Sequence, residues 1–487
     1  MAGSTLTHRL DLPAKLGRAG FGLIVTAFLA LFALVALSVA AGDMLGFFSF
    51  LLPCTVFLLL LCMARPMSGA ALVGDQRALL SASLVIWTFL LVSEAVFSHP
   101  GTTEQAVSGH FDKTAYYQAA SWILSFFALA FITYFRPDYL RRLFSGPLKW
   151  STIFAIIAAG SFVLSPVPSY SLALAFKLCV IVLTLHAIAA TMTNQAEVRK
   201  LFSWLLLGTL IATVAGMASP FFAPGPAFEQ GRLGWIPGLS GTAGILLLLS
   251  ILFLLLDKNL WFLLLAGYSM VAMMLAGGKG GIVASFLSVM MFFMLLKRAR
   301  QALAACAVFS VIFFLFVLFT PLGTYLQNYS QSNNAGTLTG RTNLWKAVWP
   351  DIEQQPIFGH GYRASRFVSA EVEGAFAEAG HIHNAFLEVL YNNGVVGLIP
   401  ILVMSFYIVN NLVWIIRRPA PTRVRYYATA SLALYIHLLL WGVTAPTFGG
   451  TPDNRFMTFF ALLLVSIFLR AQSADNYQAF TYGDRNP

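Results

Sequence analysis

Apolar residues run along this chain in long, nearly uninterrupted segments separated by short polar connections. A helix needs about 20 apolar residues to cross the ~30 Å of hydrocarbon in a bilayer. No ten-residue block alternates apolar and polar residues with period two, so the segments are interpreted as helices rather than strands. They predict an all-α polytopic membrane protein with about 12–14 transmembrane helices. The candidate spans are residues 19–42, 44–63, 78–97, 119–135, 151–167, 170–193, 201–218, 241–256, 260–276, 281–296, 301–319, 395–416, 426–446 and 456–470.

The composition excludes two other classes of protein. The 487-residue chain is 58% hydrophobic and 10% charged, with a mean hydropathy of +0.77. Soluble domains are about a quarter charged, so an ordinary soluble enzyme is excluded. The 43 Phe, 16 Tyr and 10 Trp also exclude a disordered chain, which could not leave so much apolar surface in water.

The net charge of +11 follows the predicted topology. If the N-terminus is cytoplasmic and successive connections alternate sides, roughly two thirds of the 30 basic residues fall on the inner side. The predicted outer side is then slightly acidic. The charge is therefore interpreted as a positive-inside signal and not as nucleic-acid binding. Both termini are predicted to be cytoplasmic.

One connection is much longer than the others and divides the chain. Residues 320–382 form a polar loop on the predicted outer, periplasmic face, and long loops are common places for function. The predicted organisation is an N-terminal bundle of about 11 spans (1–319), a partly helical periplasmic segment (320–394), C-terminal transmembrane helices (395–470) and a cytoplasmic tail (471–487).

Three short motifs lie in or next to this loop. They are G-R-T-N-L-W at residues 340–345, P-I-F-G-H-G at 356–361 and H-N-A-F-L-E at 383–388. A helix is predicted through Trp345 and Trp349, ending at or soon after Pro350. His383 is predicted at the N-terminal end of a short interfacial helix that stops at Asn393-Gly394.

The order and spacing of these motifs resemble the O-antigen ligase and polysaccharide polymerase superfamily. The resemblance is close over roughly residues 230–455, and it rests on G-R-T-x-x-W, P-I-F-G-x-G and H-N followed by G-x-x-G-L. It implies a bacterial inner-membrane glycosyltransferase acting on lipopolysaccharide or exopolysaccharide. Such enzymes transfer a glycan from undecaprenyl diphosphate to an acceptor hydroxyl at the periplasmic face, with inversion, and without a metal or cofactor.

The resemblance also implies roles for individual residues. His383 matches the family histidine that orients or deprotonates the acceptor. Arg232, Lys279 and Arg341 match positions that bind the diphosphate, although the family has arginine where this chain has Lys279. Lysine keeps the charge but lacks the bidentate guanidinium geometry. Possible supporting residues are Asn384, Lys177 and His381.

Elementary chemistry favours the same residues. The leaving group is a lipid diphosphate, whose developing charge is stabilised by cations partly screened from water. Arg232, Lys279 and Arg341 all lie in glycine-containing segments, where the backbone can approach phosphate closely. A histidine of near-neutral pKa is a suitable base for a sugar hydroxyl.

Structural roles remain open for several of these residues. His383 can be an interface or capping residue, and His381 and His360 can be polar loop residues. Arg341 can pair with Asp351 or Glu353. Lys177, like Glu94, lies inside an apolar segment and can either line the route of the lipid or extend its charge to the outer interface. His381 and His383 are a poor metal site, because no cysteine or suitable carboxylate lies nearby in sequence.

Four functions stay in competition. Within the superfamily, the chain can polymerise repeat units, ligate a finished glycan to lipid A–core, or glycosylate protein hydroxyls. The number of predicted spans slightly favours a polymerase. Outside it, a lipid-linked oligosaccharide flippase needs a similar number of spans and cations. A transporter, however, concentrates polar residues and broken helices near the middle of the membrane. Here they concentrate in one outer loop.

Overall fold

The computed structural model describes residues 76–97, 113–135, 140, 142–222, 238–319, 341–368 and 381–483, and helices dominate all the longer ranges. The two predicted spans 19–42 and 44–63 lie outside these residues. The helices are α1 (Gln76–Phe97), α2 (Lys113–Phe135), α3 (Lys149–Gly160), α4 (Pro168–Thr191), α5 (Gln195–Phe222), α6 (Leu239–Asp257), α7 (Trp261–Leu275), α8 (Lys279–Leu295), α9 (Ala299–Phe319), α10 (Arg341–Gln354), α11 (Ser365–Val368), α12 (Ala385–Arg417), α13 (Thr422–Gly442) and α14 (Asn454–Gly483).

The predicted all-α membrane fold is confirmed. Each candidate span within the described residues coincides with a helix, and no strand occurs in those ranges. Among the described helices, five are long and apolar enough to cross a membrane, namely α4, α6 and α12 with parts of α5 and α14. Shorter apolar segments of 10–17 residues lie in α1, α2, α3, α7, α8 and α9. Candidate 151–167 is the 12-residue α3 followed by a 3₁₀ turn at Ser161–Leu164.

Helix α6 lies at the centre of the part of the bundle that carries the loop. It packs against α5, α7, α8 and α13, and most of its residues are buried. Gly241 and Gly244 allow the close approach, because a Cβ atom at either would lie about 2 Å from Trp441 or Ser285. Small residues commonly permit such contacts between membrane helices. The N-terminal half of α6 is thereby held closely against α13 and α8.

The outer surface of the bundle is apolar on several helices. Trp261 and Leu264 on α7, Leu303 on α9 and Phe406 on α12 are each more than half exposed. A soluble protein rarely leaves so many large apolar side chains in water. Their exposure is expected of a surface that contacts lipid, and it agrees with a multi-pass membrane protein.

Lys177 and Glu94 form a buried ion pair between α4 and α1. The side chain of Lys177 is fully buried, and its ammonium lies 5.1 Å from the centre of the Trp122 ring. Gln118 donates a second hydrogen bond to Glu94. The two charges are therefore paired with one another and are not exposed at the surface of the described bundle. Each charge is compensated inside the bundle, where an isolated charge would be costly.

Two predicted boundaries fall inside continuous helices. The periplasmic segment was expected to end at residue 394, but α12 runs from Ala385 to Arg417 across a kink at Gly394. The last span was expected to end at residue 470, whereas α14 continues to Gly483. The short helix predicted after the histidine motif and the following candidate span are thus one bent element.

Candidate functional site

Asn384 caps the N-terminus of α12. Its backbone is extended (φ −150°, ψ 123°), and its Oδ1 accepts hydrogen bonds from the N–H groups of Phe386 (3.0 Å) and Leu387 (3.1 Å). The first N–H groups of a helix have no partner within the helix, and Asn is among the best residues to supply one. The asparagine of the H-N motif therefore has a clear structural role, and the capping role considered for His383 belongs to its neighbour.

His383 precedes this cap in a left-handed backbone conformation, with φ of 58°. Its imidazole forms a hydrogen bond with the backbone of Thr444, in the connection between α13 and α14. The centre of its ring lies 3.9 Å from the centre of the His381 ring. Burial and, next, the charge of Arg341 lower the pKa of His383 to about 3. Burial and then His383 lower the pKa of His381 as well. His383 is therefore a neutral imidazole at physiological pH, and the near-neutral pKa expected from the sequence is wrong.

Helix α10 carries Arg341 at its first residue and packs beside His383. Its apolar face buries Leu344, Val348 and Ile352 against Ile382 and Tyr391, among others. The indole of Trp345 donates a 2.9 Å hydrogen bond to the carbonyl of Ile382, the residue before His383. The predicted helix through Trp345 is confirmed, although it continues past Pro350 to Gln354. The G-R-T-x-x-W motif thus places an arginine and an indole next to the H-N motif. Glu353, considered as a partner for Arg341, accepts from Trp349.

The P-I-F-G-H-G segment is bonded to the kink of α12. At Gly394 the backbone leaves the helical conformation (φ 61°, ψ −164°), which interrupts the intrahelical hydrogen bonds. The N–H groups of Val395 and Val396 donate instead to Pro356 and Ile357 (2.9 and 3.1 Å). The carbonyls of Tyr391 and Asn392 accept from His360 and Gly361 (2.9 Å each).

These four bonds satisfy backbone groups that a kink would otherwise leave unpaired. They also explain the motif's glycines. Gly359 and Gly361 have positive φ, and a Cβ at either would collide with the backbone of α12 or of Ser165. His360 stacks on Tyr391 with ring centres 4.4 Å apart. The prediction that Asn393-Gly394 stops the helix is only partly correct, because the helix bends there and resumes.

A buried carboxylate, Glu388, lies one turn into α12 and was not predicted as part of the site. Its Oε1 accepts from the guanidinium of Arg363 (2.7 Å) and the hydroxyl of Ser365 (2.6 Å). Its Oε2 accepts from the N–H of Ile382 (2.8 Å). We call these four residues the Glu388 cluster. The signal in the sequence was a single acidic residue within the apolar stretch 385–391.

Lys279 begins α8, directly after the turn formed by Gly277 and Gly278. This turn lies on the N-terminus of α6, because a Cβ on Gly278 would lie 2.1 Å from the hydroxyl of Ser240. On the other side, a Cβ on Gly280 would lie 2.2 Å from the hydroxyl of Thr444. Since Thr444 also binds His383 through its backbone, the lysine loop and the histidine approach the same residue.

Arg455 is a further cation that was not predicted. It is 9% exposed, pairs with Asp453, and lies 5.1 Å from the centre of the Trp441 ring. One of its guanidinium nitrogens would lie 3.2 Å from a Cβ on Gly238, at the start of α6. Its charge contributes to lowering the pKa of both histidines. Arg455 therefore lies close enough to His383 for its charge to affect the protonation of the imidazole.

The structure therefore brings together most, but not all, of the predicted residues. His383, His381, Asn384 and Arg341 are close neighbours, and the Lys279 loop contacts Thr444 beside them. Lys177 lies in the separate buried pair with Glu94. Arg232 is outside the described residues. In the described ranges, no group of three His, Cys, Asp or Glu side chains is arranged to hold a metal ion.

The chain's resemblance to known proteins is confirmed by comparison. Residues 261–402, which include Lys279, Arg341 and His383, match the family model of O-antigen ligase. The bundle of apolar helices agrees with a multi-pass membrane protein, and the matched segment is similar to the O-antigen ligase family. An uncharacterized protein of Haemophilus influenzae is 30% identical over 96 residues. That similarity covers 18% of this chain and 24% of the relative's length.

Proposed function

We propose that this protein is an inner-membrane glycosyltransferase that acts at the periplasmic face. The donor is a glycan linked to undecaprenyl diphosphate, and the acceptor is a hydroxyl of a second lipid-linked glycan or of lipid A–core. The reaction inverts the anomeric carbon and uses no metal. An O-antigen ligase or polymerase type of function agrees with the O-antigen ligase family. The donor, acceptor and mechanism are the finer steps proposed here.

The environment of His383 is the observation that carries this proposal. A neutral imidazole that donates one N–H to the carbonyl of Thr444 has its lone pair on the other ring nitrogen. That nitrogen accepts the proton of the acceptor hydroxyl as its oxygen bonds to the anomeric carbon. The bond from that carbon to the phosphate oxygen breaks, and undecaprenyl diphosphate leaves with the electron pair. Inversion follows from a single displacement.

The helix N-termini around His383 support binding of the diphosphate. Helices α6 and α8 begin side by side, and α14 joins them through a 2.7 Å hydrogen bond from Asn454 to Thr242. Each N-terminus carries a partial positive charge and N–H donors, which favour anions. Together with Arg341 and Lys279, they give this region the charge that a leaving diphosphate requires. Arg232 is proposed to contribute from the segment before α6.

Complementation of a strain that lacks this gene tests the proposal. His383→Ala and Arg232→Ala are expected to abolish transfer, because one removes the base and the other a diphosphate ligand. His360→Ala and the exposed Lys346→Ala are the matched controls. Membrane levels of each variant are checked by immunoblot, and surface polysaccharide is resolved on a gel.

The pattern of lost glycan separates the remaining alternatives. Loss of long chains, with one repeat still on lipid A, identifies a polymerase. Loss of all glycan from lipid A, with lipid-linked polymer accumulating, identifies a ligase. Loss of glycan from protein hydroxyls alone identifies a protein O-oligosaccharyltransferase. Wild-type polysaccharide from both variants contradicts the catalytic proposal and makes a flippase the better explanation.

A further inference from the structure

Glu388 is a fully buried carboxylate that contacts neither His383 nor Arg341 through any of its three hydrogen bonds. Those bonds come from Arg363, Ser365 and the N–H of Ile382, at 2.6–2.8 Å. Burial of a carboxylate is costly unless it is paired and hydrogen-bonded. The chain meets this requirement with a second buried charge, Arg363, which is 3% exposed. A purely structural contact could have been built from apolar residues of similar size.

The geometric consequence of the cluster appears at Ile382. The N–H of this residue donates to Glu388 and its carbonyl accepts from Trp345, so its backbone is fixed from both sides. Ile382 itself is 1% exposed. The next residue, His383, has a left-handed conformation that is uncommon for residues other than glycine and costs free energy unless the surrounding structure holds it. Asn384 then fixes the chain on the other side of His383 by capping α12.

We propose that Glu388 is a positioning residue for His383, acting through the N–H of Ile382, and that Arg363 serves to compensate its charge. The inference rests on the proposed function, since it assumes that His383 is the base. Without this acceptor, the Ile382 backbone can rotate and carry the imidazole away from the acceptor hydroxyl. A displacement of about 1 Å in a catalytic group can cost on the order of 100-fold in rate.

Glu388→Gln is the most conservative test. The amide keeps the shape but replaces one acceptor oxygen by an NH₂ group, which then faces a donor. Transfer is measured with purified protein in liposomes. The donor is the lipid-linked glycan extracted from the strain that lacks the gene, and the acceptor is that strain's membrane glycolipid. We expect kcat to fall roughly 10- to 100-fold and the KM for the donor to change less than about twofold.

Glu197→Gln is the matched control. Glu197 is also a buried glutamate that accepts hydrogen bonds from backbone N–H groups, those of Thr193 and Asn194. It caps α5 at the predicted cytoplasmic end, opposite His383. The same chemical change there is expected to lower stability without lowering kcat.

The double variant Arg363→Met with Glu388→Leu separates positioning from stability. Replacing both members of a buried ion pair by apolar residues often leaves stability unchanged, whereas removing one does not. We therefore expect a smaller loss of thermal stability than removal of one charge alone would cause, since only the N–H of Ile382 and the hydroxyl of Ser365 lose their acceptor. We expect a kcat as low as that of Glu388→Gln, because the acceptor for Ile382 is absent in both variants.

A second route is available should the double variant fail to fold. Trp345→Phe removes the donor to the carbonyl of Ile382 but keeps an aromatic ring against the apolar cluster of α10, and it should also lower kcat. Trp349→Phe, on the same helix, removes an exposed indole that donates to Glu353, and should have no effect.

The outcomes distinguish the inference from the function on which it rests. An inactive His383→Ala variant together with lowered kcat in the folded Glu388 or Trp345 variants supports both. If His383→Ala is inactive while the double variant and Trp345→Phe turn over like the wild type, positioning through Ile382 is disproved and the function stands. If His383→Ala is fully active, both are overturned.

Discussion

The imidazole of His383 is surrounded by groups that oppose its protonation. Burial is the largest cause, and the charge of Arg341 is the next, so the pKa falls to about 3 from an ordinary 6.5. A base must be unprotonated to act, so activity is retained above this pKa and lost as the pH falls through it. The residue type alone would have suggested a loss of activity near pH 6.5.

The pH profile of transfer therefore tests the contribution of Arg341. In wild type, the acid limb of kcat/KM that belongs to His383 is expected well below pH 6.5. Arg341→Met removes a charge that lowers the pKa of His383. The acid limb of kcat/KM should therefore move to higher pH. Burial of the imidazole should still hold that limb below pH 6.5. The matched change Lys346→Met, at an exposed position of the same helix, should leave the limb in place. Identical profiles for all three proteins would exclude an electrostatic effect of Arg341.

At the scale of single elements, the bend in α12 organises the motifs around it. Gly394 has φ and ψ values available essentially to glycine alone, and the bend exposes two N–H and two C=O groups. The segment at residues 356–361 binds those four groups. The P-I-F-G-x-G segment and the helix that follows the H-N motif are thus joined by backbone hydrogen bonds, although they lie apart in the sequence.

Gly394→Ala tests whether the bend is required. The new methyl group would lie 2.2 Å from the carbonyl oxygen of Ile357, in a backbone conformation that already costs about 1–3 kcal/mol for other residues. Gly146→Ala is the matched control, since Gly146 also has positive φ but nothing within 4 Å of the added Cβ. We expect only Gly394→Ala to lower the temperature of unfolding strongly and to abolish transfer. If both substitutions had the same effect, the need for glycine at residue 394 would come from backbone strain and not from the contact with residues 356–361.

On the scale of the whole molecule, the distribution of charges predicts which face of the bundle lies outside. Helices α6, α8 and α12 begin on the side that carries His383, and basic residues lie at or just after their other ends, namely Lys258, Lys297, Arg298, Arg417 and Arg418. Their placement follows the positive-inside rule. The proposed reaction requires the His383 side to be periplasmic, because the lipid-linked glycan is used there.

Labelling of single cysteines checks this orientation. In a variant with the four native cysteines replaced, Lys346→Cys on α10 should react in intact spheroplasts with a thiol reagent that cannot cross membranes. Lys200→Cys near the start of α5 should react only after permeabilisation, because it is predicted to be cytoplasmic. Both positions are exposed, so accessibility within the fold does not differ between them. The reverse pattern would contradict the topology and the periplasmic reaction together.

Part of this picture was determined by the sequence alone. Apolar runs long enough to enter a membrane specify helices wherever they occur, so the all-α class and the positions of the spans followed from local composition. The motifs around Arg341 and His383 likewise indicated the resemblance to the O-antigen ligase superfamily, which the family model over residues 261–402 supports. Their residue types and order can be seen in the sequence itself. The helix through Trp345 could be predicted from its own residues.

The tertiary structure decided what depends on contacts between distant residues. Glu388 became recognisable only when Arg363 and Ile382 were seen to bond it, and Arg455 only when Trp441 and the start of α6 were seen beside it. The charge of Lys177 could not be assigned until Glu94 was found on a neighbouring helix. The neutral state of His383 arises from burial and from Arg341, a residue 42 positions earlier in the chain. Packing sets such pairings and protonation states, and no local pattern of residues records them.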